Sequence, residues 1–334
     1  DDGTSIELEA TPNSIYQFKE WQGDLSGNSN PSTLLINEDK TVTAIFEFND
    51  LERTYVPDDN FENALIELGY DDVLDDYVLT SSINSVDVLD VTHRNISDLT
   101  GIEDFKALET LQCSKNQLSV LDLRENSEIT SLYCSDNQLT TLNVNGNNKL
   151  EVIYLSNNNL ETLDLSTNVS LERLYADSNG LESLDVTNNL NLRILYCDYN
   201  KIQTIDLSNN IELTDFHCAF NKLSELDVSL NPELIELKLL HNSLTDLDLS
   251  SNPNLRSLDC SNNQLVTLNL KNGSNQQMSA LPQNPHDNFF GIRFQNNPSL
   301  VCVQVDDEEK ANAFENPYNN WEKNDIAVYS ETCD

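Results

Sequence analysis

A run of 21 residues, written eight times with no insertion, constrains this chain more than any other feature. The first copy opens at Leu108, and the frame returns at Ile129, Leu150, Leu171, Leu192, Leu213, Leu234 and Leu255. Asn recurs at 116, 137, 158, 179, 200, 221, 242 and 263. A Leu-Asp-Leu triplet, seen first at Leu121 to Leu123, keeps the same period in close variants. A fixed period of this length means stacked coils, each burying its apolar edge against the next. Both halves of every copy alternate as strands do, so the expected fold is a β-rich solenoid with parallel strands in both halves of each coil.

Charge narrows the partners. The 334 residues carry 18 Lys and Arg against 57 carboxylates, a formal charge of −39. Nucleic-acid binding rests on neutralising phosphates with cations, so that class is excluded. Anionic membrane surfaces are disfavoured on the same ground. No apolar run is long enough to span a bilayer and no leader segment is recognisable, so direct membrane insertion is not expected. A hydrophobic content of 38% suits a thin solenoid with a narrow core.

The seven cysteines separate by position. Cys113, Cys134, Cys197, Cys218 and Cys260 share one inward strand position, which other copies fill with Leu155, Ala176 and Leu239. That interchange marks them as small buried hydrophobes. Stacked about 4.8 Å apart with parallel side chains, they are poorly placed to bridge. Cys302 and Cys333 lie outside the array and are the expected disulfide, which points to an extracytoplasmic setting.

Four regions follow in order. Residues 1–50 read as a small β module, with alternation at Ser5–Ala10, Tyr16–Trp21 and Thr41–Phe48. The succession Ala10-Thr-Pro, Phe18 to Asp24, Asn30-Pro31 and Asp39 to Phe46 resembles the divergent internalin-B-type repeat of bacterial surface proteins, without its first strand; the resemblance implies a spacer. Residues 51–85 form an N-terminal cap: Asp58 or Asp59 starts a helix over Phe61 to Leu68, and Gly69 ends it. The acid-rich Asp71 to Asp76 lacks the central Gly and closing Glu of a calcium loop and reads as a solvated turn. Residues 86–305 are the solenoid. A transitional coil before the first copy, from Val88 to Leu108, resembles the 22-residue internalin repeat. The eight that follow resemble the short leucine-rich repeats of Bacteroidetes-like bacterial surface proteins. Together these resemblances imply a leucine-rich repeat solenoid of the internalin-like kind. The register breaks after Leu270, and a loop from Gly273 to Asp287 enters the ninth coil. Ile292-Arg-Phe294 is expected at the Leu-Asp-Leu position, which puts Arg293 at the end of the outward Asp column. Residues 306–334 make a C-terminal cap stapled by Cys302–Cys333.

Two outward columns carry the candidate sites. Beside inward Leu111 and Cys113, Gln112 points out, and its equivalents are Tyr133, Tyr154, Tyr175, Tyr196, His217, Lys238 and Asp259. Three residues on, at the corner, stand Tyr199, Phe220 and His241. These aromatic, His and Lys side chains form the candidate ligand site, because amphipathic rings offer large contact area at low entropic cost. The plain alternative is that Tyr suits an exposed parallel strand. In the second half, Asp164, Asp185, Asp206, Asp227 and Asp248 form an acidic column flanked by Thr and Ser. It reads first as a solvated face that keeps the array soluble; a divalent cation such as calcium, or a basic partner, is the functional alternative. The two Asn columns read as ladders that satisfy backbone groups at the corners.

No enzyme is expected. The histidines, His93, His217, His241 and His286, lack metal-ligand spacing, and no phosphate-cradling Gly-rich loop is present. The expected protein is a monomeric, secreted or surface-displayed recognition or adhesion molecule without a cofactor, binding a protein or glycan through the ridge. A structural stalk whose specificity lies elsewhere is the competing reading.

Overall fold

A computed structural model describes residues 3–12, 16–48, 52–278, 291–323 and 326–333. In the N-terminal module, Thr4–Leu8 pairs antiparallel with Ser32–Ile36, and Tyr16–Gly23 pairs antiparallel with Val42–Phe48. Trp21 anchors its small core: the ring is buried, lies 5.1 Å from Phe18 and donates its N–H to the Ser29 carbonyl.

The N-terminal cap is an antiparallel pair, Arg53–Tyr55 with Tyr77–Leu79, holding the helix Asp59–Leu68. Asp58 starts that helix by accepting from the amides of Asn60 and Phe61. Its second oxygen accepts from the Ser97 amide and hydroxyl and the Asp98 amide, tying the helix to the transitional coil. Burial works to raise the Asp58 pKa, but these bonds together hold it below the usual carboxylate value. Gly69 closes the helix in the left-handed region, at φ 82°. Phe61, Ala64 and Leu65 face inward, and Phe61 packs 6.4 Å from Phe105 over the open end of the array. The acid-rich segment after this helix is organised by the fully buried Glu62, which accepts from the amides of Asp75 and Tyr77.

Ten strands then stack in parallel and in register, from Val88–Asp90 through Thr110–Gln112 and its equivalents to Ile292–Arg293. One residue of each, from Leu89 to Ile292, fills the core. The Asn columns hold the corners. At the first corner Asn200 donates to the carbonyls of Ala176, Cys197 and Asp198 while its Oδ1 accepts from the Leu181 amide. At the second corner Asn189, fully buried, donates to the carbonyls of Leu165 and Asn168. Neighbouring coils are thereby bonded even where no strand is present.

The second half is less regular than its sequence. Its ladder pairs Val120–Asp122 with Thr141–Asn143, stops, and resumes from Asp246–Asp248 through Thr267–Asn269 to Cys302–Gln304 and Val328–Ser330. The intervening Leu163 and Leu184 still point inward. A physical pattern accompanies the interruption. The steps that form set Asp122 against Asn143, Asp248 against Asn269, and Asn269 against Gln304. None sets Asp against Asp, although the first-half ladder does form where Asp215 faces Glu236. Within the interrupted stretch a groove of about 640 Å³ opens over Ile205 and Leu226.

Two expectations need correction at the C-terminal end. Ile292–Arg293 pairs with Leu258–Asp259, so it is a first-half strand, and Arg293 sits beside Asp259 instead of ending the acidic column. Asn297 behaves as a first-corner Asn, accepting from Leu265 and donating to the carbonyls of Cys260 and Phe294. The insertion thus precedes the ninth coil's first strand; most of it lies outside the described residues. The cap closes as expected: Cys302 and Cys333 are bridged, with their Cα atoms 5.9 Å apart. Asp307 caps the helix Glu308–Asn312. The rings of Tyr318, Trp321 and Tyr329 cluster over the last coil. Among the described residues no helix is long and apolar enough to cross a membrane.

Candidate ligand-binding face

The ten-stranded sheet brings the expected aromatic column together. Tyr133, Tyr154 and Tyr175 stack at 5.0 and 4.2 Å, Tyr196 meets Tyr175 edge-on at 5.2 Å, and His217 lies flat on Tyr196 at 3.8 Å. Register explains this: Tyr133, Tyr154, Tyr175, Tyr196 and His217 are successive ladder partners, so their rings rise side by side. Most ring faces are therefore turned to each other, and the ridge shows solvent mainly edges and hydroxyl tips. Burial dominates in raising the Tyr175 and Tyr196 phenol pKa values well above the ordinary one.

Two members differ from expectation. His217, expected to point out, is only 6% exposed; it is covered by Tyr196 and bonded through Nε2 to Glu236 Oε1 at 2.9 Å. Lys238 reaches back across two coils to Asp198, Nζ to Oδ2 at 2.5 Å. Both are held by buried carboxylates beneath the ridge. Asp198 also accepts from the Ala219 amide, and its own amide donates to Asp177. Asp259 is capped by the Ser261 amide and hydroxyl. Sequence reading passed over Asp177 and Asp198, which follow the inward Cys/Ala column where the first three repeats carry Ser114, Ser135 and Ser156. That change from Ser to Asp was the available signal.

The corner trio is also assembled. Tyr199 stacks on Phe220 at 4.3 Å and Phe220 on His241 at 4.4 Å. Their backbones matter as much as their rings. Each occupies the left-handed region, with φ 56°, 53° and 55°. Equivalent positions hold His93, Lys115, Asp136, Asn157, Ser178, Asn262 and Asn296, at similar φ. Asn and Asp visit this region cheaply, whereas a bulky side chain pays about 1–2 kcal/mol. Three consecutive aromatic residues at such a position are against local preference.

The acidic column resolves into turn chemistry. Asp164, Asp185, Asp206, Asp227 and Asp248 each accept, through Oδ1, the amide two residues on. Side-chain bonds from Ser166, Thr187 and Ser208 lead in lowering the pKa values of Asp164, Asp185 and Asp206, and for Asp227 the Ser229 amide leads. A further column went unread: Val169, Leu190 and Ile211, each directly after a second-corner Asn, are 50%, 56% and 57% exposed.

Fold and face define the class, a capped leucine-rich-repeat solenoid carrying a small β module. Residues 1–50 match the divergent InlB B-repeat domain. The functional domain of InlJ from Listeria monocytogenes is similar over 85% of this chain and 73% of its own length, with 25% identity and a TM-score of 0.56. That domain includes a cysteine ladder; here Cys113, Cys134, Cys197, Cys218 and Cys260 are free, buried thiols. A leucine-rich-repeat protein of Leptospira interrogans is similar over 73% of this chain and 62% of its own length, at 21% identity and a TM-score of 0.58. No curated protein sequence matches. The chain is internalin-like in its β module and in its repeats.

Proposed function

We propose that this protein is a non-enzymatic recognition or adhesion molecule that binds a protein through the aromatic face, at Tyr133, Tyr154, Tyr175, Tyr196, Tyr199, Phe220 and His241. His217 and Lys238 position the carboxylates beneath. One observation carries the reading: Tyr199, Phe220 and His241 hold stacked rings, exposed at Tyr199 and His241 and half-buried at Phe220, on a left-handed corner that the fold fills elsewhere with small or polar residues. Strain of this kind is retained where a side chain is used. A protein is favoured over a glycan because sugars stack on ring faces, and here the faces are largely occupied by neighbouring rings. The bridged Cys302–Cys333 pair supports display outside the cytoplasm. A charge of −39 opposes self-association and favours a monomer. The alternative, a stalk with specificity elsewhere, is supported by the N-terminal spacer-like module.

The test replaces Tyr199, Phe220 and His241 together with Asn. Relief of about 1 kcal/mol per corner offsets two lost stacking contacts of about 1 kcal/mol each, so the melting temperature is expected not to fall. Capture of surface proteins by the wild type, identified by mass spectrometry beside a glycan array, should be lost in this variant. Full retention of binding sinks the ridge reading, and binding confined to the glycan array replaces the protein with a sugar.

A further inference from the structure

The aromatic face has an electrical character that its Tyr column conceals. Beneath and between the rings of coils four to eight lie Asp177, Asp198, Asp215, Glu236 and Asp259, all partly or fully buried. The basic groups facing them are Lys238, bonded to Asp198, Arg293 beside Asp259, Arg173 beside Tyr175, and the imidazole of His217, bonded to Glu236. Negative charge is in excess, and it is held where water is scarce. Tyr196 stands at the centre of that field, feeling Asp215, Glu236 and Asp177 at once. Asp177 and Asp215 bear the cost. Desolvation first, then neighbouring carboxylates (Asp198 for Asp177, Glu236 for Asp215), hold both above the ordinary carboxylate pKa. Ser156 and the Asp198 amide donate to Asp177, Thr214 donates to Asp215, and His217 lies near enough to act on both.

The chain already shows how this layer takes a cation. Lys238 lays its stem across two coils to seat its ammonium on Asp198, and His217 lies flat on Tyr196 with its tip on Glu236. In both cases a carboxylate bonds the nitrogen, and for His217 a ring covers the body.

Resting on the reading of this face as a protein-binding surface, we infer that the partner presents a basic segment whose Arg or Lys side chains settle on Asp177 and Asp215 around Tyr196. A guanidinium suits this place, since it stacks on aromatic surface while bonding carboxylates in its own plane. It also adds positive charge beside groups that desolvation penalises. The same field rejects acidic partners and a second copy of this chain.

The probe is a fluorescein-labelled nonapeptide of alternating Arg and Ser, beside the same peptide with citrulline for Arg, read by anisotropy against the whole chain. The Arg peptide should bind and the citrulline peptide should not. Asp177→Asn with Asp215→Asn is expected to weaken binding roughly tenfold, as loss of a charge-assisted contact requires. The pair is nearly isosteric and removes a desolvation penalty, so it should fold; its melting curve checks this. Glu161→Gln with Glu182→Gln removes equal charge from exposed positions away from this layer and should leave binding unchanged. Equal weakening by both pairs would mean diffuse attraction to an acidic protein and would overturn the inference, as would no binding of the Arg peptide. The corner variant separates the two ideas. If it abolishes capture of the protein partner while the Asp pair leaves Arg-peptide binding intact, the ridge stands and the basic-partner inference falls. If the Asp pair weakens the peptide while the corner variant still captures its partner, the reverse holds.

Discussion

Single residues here are informative where they stand against their own preference. Tyr199, Phe220 and His241 oppose the backbone, and Asp71 opposes its solvation. Burial leads in pushing Asp71 from 3.8 to about 6, with repulsion from Glu62, Asp75 and Asp72 adding to it and the Asp72 amide opposing it. Its folded pKa lies above its unfolded value, so between about 3.8 and 6 the native state binds more protons than the unfolded chain. The contribution to stability is therefore full below 3.8 and declines as pH rises through 6. Asp71→Asn fixes the side chain in its neutral form and keeps an oxygen for the Asp72 amide. It should raise the melting temperature near pH ~7.5 and leave it unchanged near pH ~3.5. An equal shift at both ends would remove the linkage and leave only a packing effect.

At the level of elements, the repeat made the coils, their inward columns and both Asn ladders legible before any coordinate. Leu, Cys and Asn recur because each coil must solve the same packing and corner problem. What stayed hidden depends on neighbours two coils away or on charge. Lys238 reads as an outward cation until Asp198 is seen to lie within its reach, and His217 reads as exposed until Tyr196 covers it. Ile292 was misassigned because the insertion shifts its frame, while its alternation suits either half. Repulsion along the run from Asp164 to Asp248 is one account of the interrupted second ladder. That account is testable. Asp185→Asn with Asp206→Asn should let ladder bonds form across the stretch and slow hydrogen exchange at the amides of Val186 and Leu207. If those amides exchange as before, repulsion is not what holds the ladder open, and geometry on the groove side must be.

For the whole molecule, a charge of −39 on a slender stack is a distributed load that no single ion pair answers. Most of its salt bridges are surface pairs such as Lys149–Glu128 and Arg193–Glu212, with both side chains about half exposed, and such pairs contribute little. Screening should therefore help the fold more than it harms it. Raising NaCl from about 0.05 to about 0.5 M shortens the Debye length from roughly 14 to roughly 4 Å, less than the spacing of stacked carboxylates. The melting temperature should rise across that range. Attraction of a basic partner obeys the same screening with the opposite sign, so association with the Arg peptide should slow as salt rises. The two responses together separate long-range charge from local contact. A fold that gains from salt while peptide binding is indifferent to it would place recognition in the rings alone, and the carboxylate layer would then serve only to seat Lys238 and His217.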